Sequence, residues 1–124
     1  MSARILIVDD APFIRELLRH LLQSHGHDVV GEGTNGQEAV ELADELKPDI
    51  ILMDIVMPEK SGIEAAAEIL KTQPQARIIA CSTLDQEAMI LKALEAGCCH
   101  YVVKPFDAKK LLDSIDRASQ LRGF

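Results

Sequence analysis

Residues 5–10, Ile5-Leu6-Ile7-Val8-Asp9-Asp10, run from aliphatic side chains straight into two carboxylates. The run does not alternate apolar and polar positions, so it reads as a strand buried on both faces, the condition of a parallel sheet held between helix layers. Outward along the chain the same kind of run recurs at Val29-Val30, Ile50-Ile51-Leu52-Met53, Ile78-Ile79-Ala80 and Tyr101-Val102-Val103. Between the runs the apolar residues fall at helical spacing. Leu17, Leu18, Leu21 and Leu22 make one stripe, Ala39, Val40, Ala43 and Leu46 a second, and Ile63, Ala66, Ala67 and Leu70 a third. Met89, Ile90, Ala93 and Leu94 make a fourth, and Leu111, Leu112, Ile115 and Ala118 a fifth. Five βα repeats in series predict an α/β protein: a three-layer (βα)5 sandwich around a five-stranded parallel sheet. Pro12 suits a first helical turn after Asp10, Gly26 follows the first helix, and Lys47-Pro48 ends the second.

The 124 residues are enough for one core and are read as a single domain over 1–124. Twenty acidic against 13 basic residues give a net charge of −7, which argues against nucleic acid or an anionic membrane surface as the main partner. No run approaches the length of a membrane span, and Met1-Ser2-Ala3-Arg4 leads into the first strand without a leader pattern, so a cytoplasmic protein is expected. Cys81, Cys98 and Cys99 are odd in number and lack CxxC spacing, and none of the four histidines completes a metal site with them; they read as reduced, packed thiols. The end of the chain, Arg122-Gly123-Phe124, reads as frayed.

The polar residues carry the functional information. Asp9-Asp10 follows the first apolar run, Asp54 the third, Ser82-Thr83 the fourth and Lys104-Pro105 the fifth. The carboxyl ends of parallel strands share one edge, where ligands bind, so these side chains should converge. Three anionic carboxylates at close range require a cation between them, and an all-oxygen set suits Mg²⁺, an ion that works alongside phosphate. An aspartate between such a metal and a lysine can attack a phosphoryl group, because both cations absorb charge on the transferring oxygens. Each residue also has a plainer reading: Asp9-Asp10 or Ser82 as helix caps, Asp54 as a turn residue before Met57-Pro58, Lys104 as a solvated strand end. Their coincidence on one edge favours a site.

Taken together, Ile5-Leu6-Ile7-Val8-Asp9-Asp10, Leu52-Met53-Asp54-Ile55-Val56-Met57-Pro58 with Gly62, Ser82, and Tyr101-Val102-Val103-Lys104-Pro105-Phe106 resemble the receiver domain of two-component response regulators. The resemblance covers essentially the whole chain and is strongest to single-domain chemotaxis regulators of the CheY type. It implies a flavodoxin-like strand order 2-1-3-4-5. It also implies that Asp54 accepts a phosphoryl group from a sensor histidine kinase. Asp9, Asp10, Asp54 and the backbone carbonyl of Val56 would hold Mg²⁺, with Ser82 and Lys104 contacting the phosphoryl group. Ser82 and Tyr101 would form the switch, and the Lys104-Pro105 peptide would be cis. The protein would then be no enzyme beyond its own phosphorylation and dephosphorylation. It would work as a monomer that docks on a partner: a flagellar motor switch protein, a phosphatase, or the next protein of a phosphorelay. The segment Ile78–Met89, by its similarity, tilts the reading to chemotaxis, with the partner near Ala88, Met89 and Tyr101.

Some positions depart from the common pattern. Thr83 is branched and polar beside the phosphoacceptor, and Val56 and Leu84 are apolar where residues that orient the attacking water are often polar, which predicts slow self-dephosphorylation and reliance on a separate phosphatase. Among rival readings, Gly31-Glu32-Gly33-Thr34-Asn35-Gly36 spells GxGxxG, but it follows the second strand rather than the first, and Thr34-Asn35-Gly36 reads as a turn and helix cap. A Mg²⁺-dependent phosphohydrolase would need a general acid near its nucleophile, and Asp54-Ile55-Val56 offers none. An interaction module that has lost phosphorylation is at odds with intact Asp10, Asp54 and Lys104.

Overall fold

The computed structural model describes residues 2–57, 59–83 and 86–122, with side chains to residue 120. Five strands and five helices alternate along the chain: β1 (Arg4–Val8), α1 (Pro12–Ser24), β2 (Asp28–Gly33), α2 (Gly36–Leu46), β3 (Ile50–Asp54), α3 (Gly62–Thr72), β4 (Arg77–Ser82), α4 (Glu87–Glu95), β5 (His100–Val103) and α5 (Ala108–Arg122). All pairings are parallel, and the sheet runs β2-β1-β3-β4-β5, the flavodoxin-like order. The strands that cross the middle are apolar on both faces because each face meets its own helix layer. Leu6, Val8, Ile51, Met53, Ile78 and Ala80 point to α2, α3 and α4, where Ala39, Ala43, Ala65, Ala66, Ile69 and Ala93 receive them. Ile5, Ile7, Ile50, Leu52, Ile79 and Cys81 point the other way, to Leu18 and Leu22 of α1 and Leu111, Ile115 and Ala118 of α5. Burial of these two sets is the main stabilising term.

The helix punctuation follows from local chemistry. Pro12 opens α1, where its missing N–H costs nothing. Asn35 caps α2, its side chain accepting the Glu38 N–H at 2.8 Å, and Lys47 closes that helix in the left-handed region. Ser61 caps α3 through the Glu64 N–H.

The apolar stripes need three corrections. Leu17 is 50% exposed, and α1 buries Leu18 and Leu22 instead. In α3 the inward residues are Ala65, Ala66 and Ile69, whereas Ala67 is exposed; in a run of consecutive alanines the spacing alone does not fix the phase. In α4 only Ala93 is fully buried, and Leu94 is 43% exposed. β2 is an edge strand and only partly buried, so its run is short and interrupted by glycine. Residues 123 and 124, expected to fray, lie outside the described residues, as do Pro58 and Leu84. Among the described residues no helix is long and apolar enough to cross a membrane.

Candidate functional site at the carboxyl edge of the sheet

The strand register builds the site. Val8 of β1 lies opposite Met53 of β3, so the next residues, Asp9 and Asp54, emerge side by side where both strands end. Asp54 lies opposite Cys81 of β4, and Ser82, the last residue of β4, lies opposite Val103 of β5, one position before Lys104. The Lys104 N–H donates to the Ser82 carbonyl at 2.7 Å, which fixes the lysine at the rim.

Asp9, Asp10 and Asp54 each present a carboxylate oxygen, and these oxygens lie within 4.8 Å of one another. Asp9 and Asp54 are buried, while Asp10 is exposed, so the cluster is walled on one side and open to water on the other. The Lys104 ammonium reaches into it, 2.5 Å from Asp9 Oδ2 and 3.4 Å from Asp54 Oδ2. Ser82 is 1% exposed beside them. Val56, in the loop after β3, is 58% exposed, and its N–H donates to Asp54 Oδ1 at 3.3 Å. Tyr101, on β5, is partly buried and packs against the core layer on the α2–α4 side. The Lys104-Pro105 peptide is cis. Thr83 lies exposed just beyond β4.

The electrostatics of the pocket are set by burial and by the one lysine. Burial pushes the Asp54 carboxyl up; Lys104 pulls it back, Asp9 adds repulsion, and the net shift is upward. Burial works against the charge on Lys104, but hydrogen bonding to Asp9 and attraction to both carboxylates outweigh it, and its pKa is raised. Lys104 therefore stays cationic and partly neutralises the acids. An exclusively oxygen donor set with an open, hydrated side fits Mg²⁺, which keeps waters in its shell and is bound through one or two carboxylates.

The geometry bears on the plainer readings of the cap candidates, while Asp54, whose Oδ1 accepts the Val56 N–H two residues on, keeps a turn role beside its place in the cluster. The N-cap of α1 is Ala11, so Asp10 caps nothing; Asp9 Oδ1 does accept the Ala11 N–H at 2.9 Å, a turn role it combines with its place in the cluster. The N-cap of α4 is Gln86, not Ser82. Gly36, the last glycine of the GxGxxG string, closes on the neighbouring loop: its N–H donates to the Lys60 carbonyl, and a Cβ there would stand 2.1 Å from that oxygen. That glycine is required by packing, with no phosphate to explain. The sequence reading did not single out Arg15 of α1, whose Nη1 donates to the Asp9 carbonyl at 2.6 Å while its Nε donates to Glu32 at 3.3 Å. Glu32, the polar residue that β2 brings to this edge, is held by Arg15 and Arg19.

Comparison with known proteins agrees with this geometry. The family model described as the response regulator receiver domain matches residues 5–116. The chain is 48% identical over 120 residues to the chemotaxis protein CheY of Thermotoga maritima, covering 97% of this chain and 100% of that protein. It is 46% identical over 117 residues to CheY of Bacillus subtilis, covering 94% and 98%. Among solved structures, the response regulator domain of Thermotoga maritima CheB superposes with a TM-score of 0.88 at 39% identity, over 95% of this chain and 96% of that one. A CheX-CheY-BeF₃-Mg²⁺ complex from Borrelia burgdorferi gives 0.87 at 32% identity, over 90% and 85%.

Proposed function

The chain belongs to the response regulator receiver family, and on that premise we propose that it is a stand-alone, cytoplasmic chemotaxis regulator of the CheY type, phosphorylated on Asp54. It is a signalling protein, and the only chemistry assigned to it is on itself. The observation that carries the reading is the Lys104 ammonium within reach of both Asp9 and Asp54, inside a cluster of three carboxylates. In the proposed reaction an Asp54 carboxylate oxygen attacks the phosphorus of a phosphohistidine on a sensor kinase. The new P–O bond forms as the P–N bond breaks, and the donor imidazole leaves. Asp9, Asp10, Asp54 and the Val56 carbonyl are the residues that would hold Mg²⁺, which neutralises charge on the transferring oxygens when bound. Lys104 meets the same charge from the other side, and the Ser82 hydroxyl donates to a phosphoryl oxygen. The burial that raises the Asp54 pKa also leaves its carboxylate poorly solvated and so a better nucleophile.

The product carries about 1.5 to 2 additional negative charges and three acceptor oxygens, which draw Lys104 and Ser82 toward them. Tyr101 follows into the space that Ser82 leaves, and the surface beside β5 changes its affinity for a partner. Inverting an inactive majority of 99:1 takes about 5.5 kcal/mol of differential stabilisation. The partners proposed are a sensor histidine kinase, a flagellar motor switch protein and a phosphatase; the domain spans 1–124 and acts as a monomer, without nucleic acid or membrane. A phosphorelay intermediate is the second reading, distinguished by transfer of the phosphoryl group onward to a histidine. Hydrolysis by bound water is proposed to be slow, because the exposed side chain of Val56 is apolar and cannot orient that water.

The test is labelling with acetyl phosphate. Wild-type protein should incorporate one phosphoryl group only with Mg²⁺ present, and Asp54→Asn none; undiminished labelling of that variant would refute the assignment. The acyl phosphate should outlast minutes without a phosphatase, and decay within seconds would reject the slow-hydrolysis reading.

A further inference from the structure

Asp9 is held at every polar group it owns. Its N–H donates to the Gly33 carbonyl at 3.1 Å, its Oδ1 accepts from Ala11 and its Oδ2 from Lys104, and its carbonyl accepts from Arg15. Asp10 is the opposite case: it is exposed, and among the described residues no hydrogen bond fixes its carboxylate. Its direction is set by the backbone that precedes it. The Asp9 carbonyl and the Asp10 nitrogen belong to one planar peptide unit, so a donor that pins the Asp9 oxygen also orients the plane from which the Asp10 side chain departs. Arg15 is that donor, at 2.6 Å. Arg15 is itself anchored across the fold, to Glu32 on the edge strand β2, and Glu32 takes a second grip from Arg19 one helical turn further on at 2.9 Å. Both partners of the first pair are well sheltered, with side chains 16% and 28% exposed.

We propose that Arg15, braced by Glu32, is a positioning residue for the metal site: it holds the Asp9–Asp10 peptide in the orientation that lets both carboxylates face one cation, and so sets the Mg²⁺ affinity without touching the ion. The role suits arginine, because its donors are spread over a rigid planar fork that reaches a carbonyl through one nitrogen and a carboxylate through another, a fixed geometry that the single nitrogen of an ammonium does not impose. Replacing Arg15 and Glu32 together removes one charge of each sign and leaves the net charge as it was, so the paired variant reads geometry rather than field. The inference rests on the reading of Asp9 and Asp10 as metal ligands.

The experiment compares wild-type protein with the charge-conserving pair Arg15→Gln/Glu32→Gln and with Arg15→Lys. The Mg²⁺ dissociation constant is read by calorimetry and by backbone amide shifts, and the Mg²⁺ dependence of acetyl phosphate labelling is measured in parallel. Loss of an outer residue that orients ligands typically weakens metal binding about 10- to 100-fold. The double variant should therefore bind at least about tenfold more weakly, and Arg15→Lys should be weaker in the same direction by a smaller factor. Labelling at saturating Mg²⁺ should return to the wild-type rate, so the concentration dependence moves and the maximum does not. An unchanged dissociation constant, or a fall in melting temperature with no change in Mg²⁺ binding, overturns the proposal. If the double variant fails to fold, Arg15→Lys, which keeps charge and bulk, decides alone by the same criterion. Wild-type protein that binds no Mg²⁺ would instead refute the receiver reading, and the strap with it.

Discussion

At Asp54 burial and charge contend. Burial raises the carboxyl, Lys104 lowers it, and Asp9 raises it again, with a net upward shift. A carboxyl whose folded pKa exceeds its unfolded one binds its proton more tightly in the folded chain. Its contribution to stability is then largest below the unfolded pKa and is lost as pH rises through the folded one, so at neutral pH the ionised group is a burden. Asp54→Asn should raise the melting temperature of metal-free protein at pH 7, and the gain should shrink toward pH 3; an unchanged or lowered midpoint at pH 7 would contradict the electrostatic account. His27 shows the opposite sense. Burial lowers its pKa below 6.5, Asp116 opposes, and the N-terminus and His25 assist. Its Nδ1 accepts the Ala3 N–H at 3.2 Å, a bond that a protonated ring cannot keep. Stability from His27 is complete above pH 6.5 and is lost as pH falls through the lower folded value. His27→Gln, which retains an acceptor, should flatten the fall in urea midpoint between pH 7 and 5. Asp9, Asp10, Asp54, Ser82 and Lys104 were legible in the sequence because each stands within two residues of the end of an apolar run. Arg15 was not, since its partners are a backbone carbonyl and an acid 17 residues away on the edge strand β2, and neither leaves a pattern in the chain.

The elements are tied together at glycines and caps. Gly62 opens α3 directly over the end of β3, where an added Cβ would stand 2.1 Å from the Asp54 carbonyl oxygen. Gly62→Ala should therefore push the phosphoacceptor strand and the helix apart, at a cost of about 1–3 kcal/mol typical of overpacking. The urea midpoint should fall with the denaturant slope unchanged, and acetyl phosphate labelling should fall with it. Asn35→Ala, which removes the cap of α2, the neighbour of α3 on the same face of the sheet, should cost about 1 kcal/mol and leave labelling as it was. The contrast between the two variants separates a helix that merely covers the core from one that is seated on the site. The number and order of the elements were legible because five apolar runs alternate with five helical stripes. The rotation of α3 and α4 was not: in Ala65-Ala66-Ala67 small side chains suit either face, and α3 also packs against α2, a neighbour that no local spacing records.

On the scale of the whole molecule, the parallel sheet gathers Asp9, Asp10, Asp54, Ser82 and Lys104 at one edge, and α5 leaves a groove of about 600 Å³ beside it along β5. His100, Tyr101, Lys104, Lys110 and Arg117 are among its lining residues, so the groove and the acid cluster share Lys104 as a common wall. Beryllofluoride with Mg²⁺ should shift the amide resonances of residues 100–104 together with those of the loops after β1 and β3, and the same addition to Asp54→Asn should leave them in place. Shifts confined to the acid cluster would mean that the groove does not sense the phosphoryl group. That a site would form at the carboxyl edge could be foreseen, because the rule follows from chain direction in any open parallel sheet. The groove could not, since it depends on how far α5 stands from β5.

The opposite rim is fastened differently. Arg4 clamps the end of α2 through the carbonyls of Leu46 and Lys47, its own N–H donates to Asp49, and Asp28 donates to the Ala3 carbonyl. Nothing in the chemistry proposed above needs that rim to move. It therefore serves as a fixed mount: a reporter dye or a surface tether placed there, for instance at exposed Gln75, would leave the working rim free to read kinase and partner.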